Sequence, residues 1–265
     1  MKKVIAFFIA LLMPFSALAE LEAHFIDVGQ GDACIIVCDG EAMMIDGGPP
    51  GASGKVFSYI KELGLTELKY VVASHPHEDH IGGISAALNA VPVGCIFSPV
   101  LEWDTRAFES MMKYANMSGT PVVVPADGDT FTVGSATATV LQCWPEAWTA
   151  NDMSIILRID YKGHSFLFTG DAEYMTEYML IDSGVDLDVD VLKVSHHGSD
   201  TATTAEFIDA VSPSLAVFSV GAGNQYGHPT QEVLQRLQGV EVLRTDLDGD
   251  IILRCCETIE RSCEK

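Results

Sequence analysis

The apolar run Tyr70-Val71-Val72-Ala73 stops at Ser74-His75-Pro76-His77-Glu78-Asp79-His80. A chain with only eight histidines thus places three of them, with two carboxylates, at the end of one strand-like segment. A fold built on this sequence has to bury the strand and still accommodate that polar load where it ends. A neutral imidazole nitrogen binds zinc or manganese, and a carboxylate offsets the charge of the ion. His75, His77, Asp79 and His80 therefore form a candidate ligand set on a loop that Pro76 stiffens. A lone histidine there would read as an ordinary side chain of a polar surface loop. Four ligand-type side chains in six positions, followed by Gly82-Gly83, favour metal instead.

Around this loop the sequence alternates between strand and helix signals. Leu21 to Val28, Ala33 to Val37 and Ala42 to Ile45 read as strands, the first two flanking a Gly-Gln-Gly-Asp turn and the third ending in Asp-Gly-Gly. Val56, Tyr59, Ile60 and Leu63 recur at helical spacing up to Gly64, which is placed for a left-handed cap. A helix over Ile81 to Leu88, a strand near Val93 to Phe97 and a helix near Arg106 to Asn116 follow. Strands are expected near Val122 to Val124, over Ala136 to Gln142, and in a hairpin of Ser154 to Asp160 with Phe166 to Phe168. Leu187 to Val194, Leu215 to Val220, Glu241 to Leu243 and Ile251 to Arg254 are the remaining strands. One helix is expected to start at Thr203, with Glu206 as its capping-box partner, and to end before Pro213; another begins at Thr230. Antiparallel strands lead and mixed strand-helix units follow, twice over. Two sheets packed face to face between outer helices satisfy that order, a four-layer αββα sandwich of the α/β class.

Residues 1–19 carry Lys2 and Lys3, an apolar stretch broken by Pro14, and Ala17-Leu18-Ala19, the pattern of a secretory signal peptide cut after Ala19. The apolar stretch is shorter than the ~20 residues of a membrane span. The expectation is an exported protein, secreted or periplasmic, with one domain over residues 20–265 and no stable membrane insertion once the signal is removed. The formal charge is −22; taking Lys2 and Lys3 from the 15 basic residues leaves 13 against 37 acidic ones, a formal −24. Such a chain repels phosphate backbones at long range unless a bound metal reverses the local field, which disfavours tight nucleic-acid binding. Export permits disulfides, but seven cysteines leave at least one thiol unpaired within the chain, and the sequence does not give the pairing. Cys34 and Cys38, about 13 Å apart along a strand, are too distant to bridge and read as small core hydrophobes. Oligomeric state is not legible.

His-x-His-x-Asp-His followed by Gly-Gly is the signature of the metallo-β-lactamase-fold hydrolases, and the sequence resembles a member. Phe25-Ile-Asp-Val-Gly-Gln-Gly-Asp32, Met44-Ile-Asp-Gly-Gly48, Asn151-Asp-Met-Ser154, Leu167-Phe-Thr-Gly-Asp171, Leu192-Lys-Val-Ser-His-His-Gly-Ser199 and Tyr226-Gly-His-Pro-Thr230 are similar to the hydrolase domain of the competence DNA-uptake protein ComEC. These stretches span nearly all of residues 20–265. The resemblance implies two divalent ions, zinc or manganese: His75 and His77 on one, Asp79 and His80 on the other, Asp171 bridging, and His196 completing the second site. Such a pair can share a hydroxide as nucleophile and offset charge on substrate oxygens. The broader superfamily has another histidine between the first cluster and the bridging aspartate. Only His164 lies there, roughly 20 Å from Asp171 if the strand is extended, and it reads as part of a hairpin turn.

Several residues keep two readings. Asp46 is turn chemistry before Gly47-Gly48 by default, and a residue orienting a ligand histidine by resemblance. Asp27 and Asp32 are likewise turn residues or site-facing. A strand delivers only one of His196 and His197 to a given face; His196 is taken as the ligand and His197 as a substrate-facing or proton-transfer group, with the reverse left open. His228 suits a helix start beside Pro229 and Thr230, or contact with an anionic group. Asn151 caps a strand or hydrogen-bonds substrate. The candidate catalytic residues are thus Asp79, His197, His228 and Asn151. Asp246-Leu-Asp-Gly-Asp250 mimics a calcium loop but has Ile251 at its sixth position, and a hairpin turn explains it better.

The expected function is an exported dinuclear-metal hydrolase of phosphodiester bonds, with DNA as substrate by analogy. A small phosphodiester or phosphocholine-type esterase is the alternative, and a non-catalytic secreted metal-binding module is the reading of a different class. Retention of all six expected ligands favours activity.

Overall fold

The computed structural model describes residues 20–265, so the signal-peptide expectation for residues 1–19 lies outside the described residues. Strands β1 (Leu21–Phe25), β2 (Ala33–Cys38) and β3 (Glu41–Gly47) are antiparallel. Helix α1 (Ser53–Glu62) then leads to β4 (Leu68–Val72), the short helices α2 (Glu78–Ile81) and α3 (Ile84–Ala90) to β5 (Val93–Phe97), and α4 (Arg106–Ser118) to β6 (Val122–Val123). The second half repeats the scheme. Strands β7 (Thr130–Val133), β8 (Ala136–Gln142), β9 (Ile156–Tyr161) and β10 (His164–Phe168) form the antiparallel part. Crossovers through α5 (Tyr174–Ser183), α6 (Ala205–Val211) and α7 (Gln231–Arg236) add β11 (Val191–Lys193), β12 (Leu215–Phe218) and β13 (Glu241–Arg244) in parallel. After α8 (Thr245–Asp248) the chain returns to the first sheet with β14 (Asp250–Cys255) and β15 (Ile259–Glu264).

The sheets run β15-β14-β1-β2-β3-β4-β5-β6 and β13-β12-β11-β10-β9-β8-β7. Alternation along each strand sends Phe25, Cys34, Met43 and Val72 of the first sheet against Leu157, Phe166, Phe168 and Val217 of the second. The opposite faces lie under helices: Ile35, Met44 and Val71 beneath Val56, Ile84 and Met111, and Leu167 and Leu192 beneath Leu180 and Phe207. This is the expected αββα sandwich. Cys34 and Cys38 are buried in its central layer, and all seven cysteines are free. Among the described residues no helix is long and apolar enough to cross a membrane.

Parallel strands joined by crossovers end at the same edge of their sheet, where ligand sites of α/β sheets form. Here β3, β4, β10, β11 and β12 all end at one edge. Asp32, just before β2, reaches the same edge because β2 runs antiparallel to β3, with Ala33 opposite Gly47. Gly47 and Gly83 allow α3 to sit against the end of β3: a Cβ at Gly47 would lie 2.8 Å from the Ile84 nitrogen.

Several local expectations change. The helix expected over Ile81 to Leu88 is two helices broken at Gly82-Gly83, which bends the histidine loop under β3. Thr203 does not cap α6; its φ is +58°, and Thr204 is the cap, its hydroxyl accepting from Phe207 N. Glu241–Arg244 and Asp250–Cys255 are not hairpin partners but belong to different sheets. Asp246 instead holds the Arg244 guanidinium at 2.6 Å, and Asp248 accepts from Arg244 N, so the segment turns as α8. His164 opens β10 opposite Tyr161, and its Nε2 lies 3.3 Å from Cys256 O, far from the strand-end edge.

Candidate metal centre

The histidine loop reaches the strand-end edge with two of its rings fully buried. His75 follows β4 and His80 lies in α2, both at 0% exposure. Asp46, at the end of β3 with φ +56°, orients them: one carboxylate oxygen accepts Ser74 N at 2.8 Å, the other Ser74 Oγ at 2.6 Å and His80 Nδ1 at 2.8 Å. A buried carboxylate bonded to Nδ1 turns the opposite nitrogen, Nε2, towards the cleft. Asp46 thus takes the orienting position, and its strained backbone is held by three hydrogen bonds.

From the second sheet comes Asp171, three residues after β10. Gly170 lets the chain pass beneath Ser154, where an added Cβ would lie 2.7 Å from Ser154 Oγ, and that hydroxyl accepts Asp171 N at 3.0 Å. The Asp171 carboxylate lies 3.2 Å from His80 Nε2, 3.8 Å from His75 Nε2 and 3.6 Å from His197 Nε2. Among the described residues it belongs to both side-chain groups that could hold an ion: His75, His77 and Asp171, and Asp32, His80, Asp171 and His197. His75 Nε2 and His77 Nδ1 are 3.0 Å apart.

His196 and His197 are not on a strand. β11 ends at Lys193, and the two histidines occupy consecutive left-handed positions, φ +48° and +54°, in a single turn over Ser195–Gly198. Such a turn throws neighbouring side chains apart. His197 is the buried one, with Nδ1 2.9 Å from Ser219 O and Nε2 3.3 Å from Asp79 Oδ2. His196 stands at the rim, Nε2 3.8 Å from Asp171 and Nδ1 3.4 Å from Glu173. The geometry thus puts His197 in the buried group and His196 at its rim, the reverse of the expected assignment and the alternative that the sequence leaves open.

Asp32 stands behind the histidines. Its carboxylate lies 3.2 Å from His197 Nδ1 and 3.9 Å from His80 Nδ1, the ring sides facing away from Asp171. The buried Lys193 ammonium, 2.6 Å from Asp32 Oδ2, holds it there. Asp79 approaches from the Nε2 side, so it shares the face of His80, Asp171 and His197 that opens to the cleft. Asp27 takes no part: its carboxylate accepts Gly29 N and its carbonyl accepts Lys55 Nζ, the plain turn role. Asn151 donates to Glu173 at 3.2 Å and leaves its Oδ1 buried without a partner. His228, whose Nδ1 is also unpartnered, meets the His196 ring edge-on at 5.8 Å.

Burial alone would lower the basicity of the rings, and for His75, crowded by His80, it does, well below the ordinary value. In His80 and His197 burial is outweighed, first by Asp171 and then by Asp46 and Asp32 respectively; His80 is held well above the usual range and His197 is raised to about 10. Asp171 is pushed up by burial but carried well below the ordinary carboxylate value by His80 and His197. The cleft thus stabilises positive charge on the very atoms that face it. His80 Nε2, His197 Nε2 and Asp171 Oδ1 are buried and make no well-aligned hydrogen bond, their nearest polar neighbours being one another and Asp79 at 3.2 to 3.6 Å. Three buried ring-nitrogen and carboxylate atoms converging on one gap without a well-aligned hydrogen bond, with the Asp32, Asp46 and Asp79 carboxylates beside the same rings, fit divalent cations.

The sequence reading missed Lys193 and Glu173. Lys193 left a signal, a charge inside the apolar strand Val191-Leu-Lys-Val194; Glu173 left none, since it lies on a loop where carboxylates are ordinary.

The family model described as metallo-beta-lactamase superfamily matches residues 26–221. Among curated proteins the chain is similar to ComE operon protein 3 of Bacillus subtilis, 29% identical across 89% of this chain and 33% of that protein. It is also similar to competence protein ComA of Neisseria gonorrhoeae, 29% identical across 84% of this chain and 30% of that protein. The chain therefore spans about a third of the length of these relatives. Among solved structures, the metallo-beta-lactamase fold protein YhfI of Bacillus subtilis superposes with a TM-score of 0.62 at 15% identity, over 89% of this chain and all of that one.

Proposed function

The chain belongs to the metallo-beta-lactamase superfamily, and from that premise we propose that it is a dinuclear-metal hydrolase of phosphodiester bonds. His75, His77 and Asp171 would hold one ion; Asp79, His80, Asp171 and His197 the other. Asp32 would steady His197 from behind through Oδ1, 3.2 Å from His197 Nδ1, while Lys193 engages its Oδ2. A bound pair of divalent ions, zinc or manganese, would supply Lewis-acid polarisation of a phosphoryl oxygen and an acidified water. The protein's own part is orientation and proton handling. Asp46 and the Ser219 carbonyl fix which nitrogen of His80 and His197 faces the cleft. Glu173, through Nδ1, sets the His196 ring at the rim. His228, kept less basic than usual by burial and by His196 and His197, stands beside it with Nδ1 unpartnered, placed to pass a proton to a leaving oxygen. Asn151 Oδ1, also without a partner, is free to meet substrate.

The observation that carries this reading is the convergence of buried His80, His197 and Asp171 atoms on one gap between the two sheets. The phosphodiester part draws its support from the similarity to competence proteins, together with the motifs shared with the ComEC hydrolase domain. The formal charge of −22 favours a second reading, a small phosphodiester or phosphocholine-type ester rather than long DNA. Export through residues 1–19, giving a secreted or periplasmic enzyme, is part of the proposal.

The test is metal content of the purified protein alongside hydrolysis of bis-p-nitrophenyl phosphate with zinc or manganese. Asp171→Ala is expected to lose metal and lower turnover by at least ~100-fold, the scale of losing a metal-holding group. Bound metal with no turnover on any ester would leave a metal-binding module and end the hydrolase reading. Cleavage of plasmid and single-stranded DNA separates a nuclease from a small-ester hydrolase.

A further inference from the structure

Tyr226 is 61% exposed, yet its position is tightly set. Its backbone N–H donates to Asn224 Oδ1 at 3.1 Å, and the same oxygen accepts His228 N at 3.1 Å. Asn224 Nδ2 in turn donates to Gly221 O and His228 O, at 3.0 and 2.6 Å. One side chain thus clamps the loop at both ends. The Tyr226 ring stacks on His228 with centroids 5.7 Å apart and planes at 26°. A large aromatic ring mostly exposed to water, with the His228 ring stacked beside it, has no role in packing the core. It is preorganised for a planar guest.

The ring borders an open groove of about 560 Å³, lined also by Gln30, Pro49, Pro50, Glu78 and Asp79. That volume is within the ~300–1,000 Å³ of small-ligand sites. Asp79 Oδ2 is 3.3 Å from His197 Nε2, so the groove opens directly onto the candidate metal centre. Its walls restrict what can enter. Glu78, exposed in the lining, repels a second phosphate but accepts hydrogen bonds from amino and ring N–H groups. Tyr226 is the one aromatic ring among the described residues of the lining, whereas a quaternary ammonium is recognised by a cage of several. A flat, neutral group carrying at least one N–H donor meets all of these conditions, and a nucleobase, thymine with its single ring N–H included, is such a group.

We propose that Tyr226 is a specificity-determining residue, its open face stacking the base of the nucleoside next to the scissile phosphodiester. The inference rests on the phosphodiesterase reading and names its substrate class. Stacking needs no basic patch, which reconciles a nucleotide substrate with a strongly acidic chain.

The test compares thymidine 5′-(p-nitrophenyl phosphate) with methyl p-nitrophenyl phosphate as substrates of the metal-loaded full chain. The readout is the ratio of their kcat/KM values. Tyr226→Ala is expected to lower that ratio by about 5- to 150-fold, the range that base stacking on an aromatic ring supplies, and Tyr226→Phe to preserve it. An unchanged ratio in Tyr226→Ala would overturn the proposal, as would a larger loss on p-nitrophenylphosphocholine than on the thymidine ester. If the wild type cleaves neither ester, the phosphodiesterase reading fails by itself. Calorimetric binding of thymidine 5′-monophosphate then decides the platform: weakened in Tyr226→Ala and kept in Tyr226→Phe supports it, and equal binding overturns it.

Discussion

Lys193 is the residue on which the back of the metal centre depends. It is 3% exposed, and its ammonium lies between Asp32 Oδ2 at 2.6 Å and the Val194 carbonyl at 2.9 Å. Asp32 is pushed up by burial, yet Lys193 and His197 together hold it below the ordinary carboxylate value. Removing one member of a buried pair leaves an uncompensated charge, which costs about 3–5 kcal/mol. Lys193→Met is therefore expected to lose that much unfolding free energy in metal-free protein by urea titration. Lys193→Met with Asp32→Asn should recover most of the loss, and a double variant no more stable than the single one would disprove the pairing. At this scale the contiguous loop His75 to His80 was legible, because its spacing is local. The choice between His196 and His197 was not: it depends on two successive left-handed residues, a backbone state that the neighbouring apolar strand gives no sign of.

At the scale of elements, helix α5 shows how a strong tertiary role can hide a helix. The segment Tyr174–Ser183 buries Thr176, Glu177 and Leu180 and exposes Tyr174, Tyr178 and Met179, so polarity and burial are inverted along it and no apolar stripe can be read. Glu177 is buried because it works on another helix. One oxygen accepts Thr204 N at 2.9 Å and Thr204 Oγ1 at 2.8 Å, while the other accepts Thr203 N, which steadies the left-handed Thr203 at the start of α6. The Thr204 hydroxyl also accepts Phe207 N at 3.2 Å as the α6 cap. Thr204→Ala should thus cost about 0.5–2 kcal/mol, whereas Thr203→Gly, which relieves the positive φ, should be neutral or better. Equal losses in the two variants, measured by thermal denaturation, would return the cap to Thr203. The capping signal was visible in the sequence but one residue out of place, since Thr203 and Thr204 are the same residue type and only φ distinguishes them.

For the whole molecule, the candidate centre lies at the seam between the sheets. His75, His77, Asp79 and His80 come from the first, and Asp171 and His197 from the second. Ions held there would bind the folded chain and not the unfolded one, adding about 4 kcal/mol when free metal is 1,000 times its dissociation constant. Chelation is accordingly expected to lower the melting temperature of the entire domain in one transition, by calorimetry, and Asp171→Ala protein should show no such drop. A transition that splits in two on chelation would mean that the sheets are not coupled through the site.

Local order in the chain determined the layers: alternating apolar residues set which strand face is buried, helical spacing set the covering helices, and one contiguous loop announced the metal chemistry. The tertiary structure alone decided which ring of His196-His197 enters the cleft, that Asp32 stands behind the histidines rather than among them, and that Lys193 and Glu173 join the site. The reason is range. Periodicity and spacing report on neighbours a few residues apart, whereas Asp32 and Lys193, 161 positions apart, meet only because two crossovers bring their strand ends to one edge.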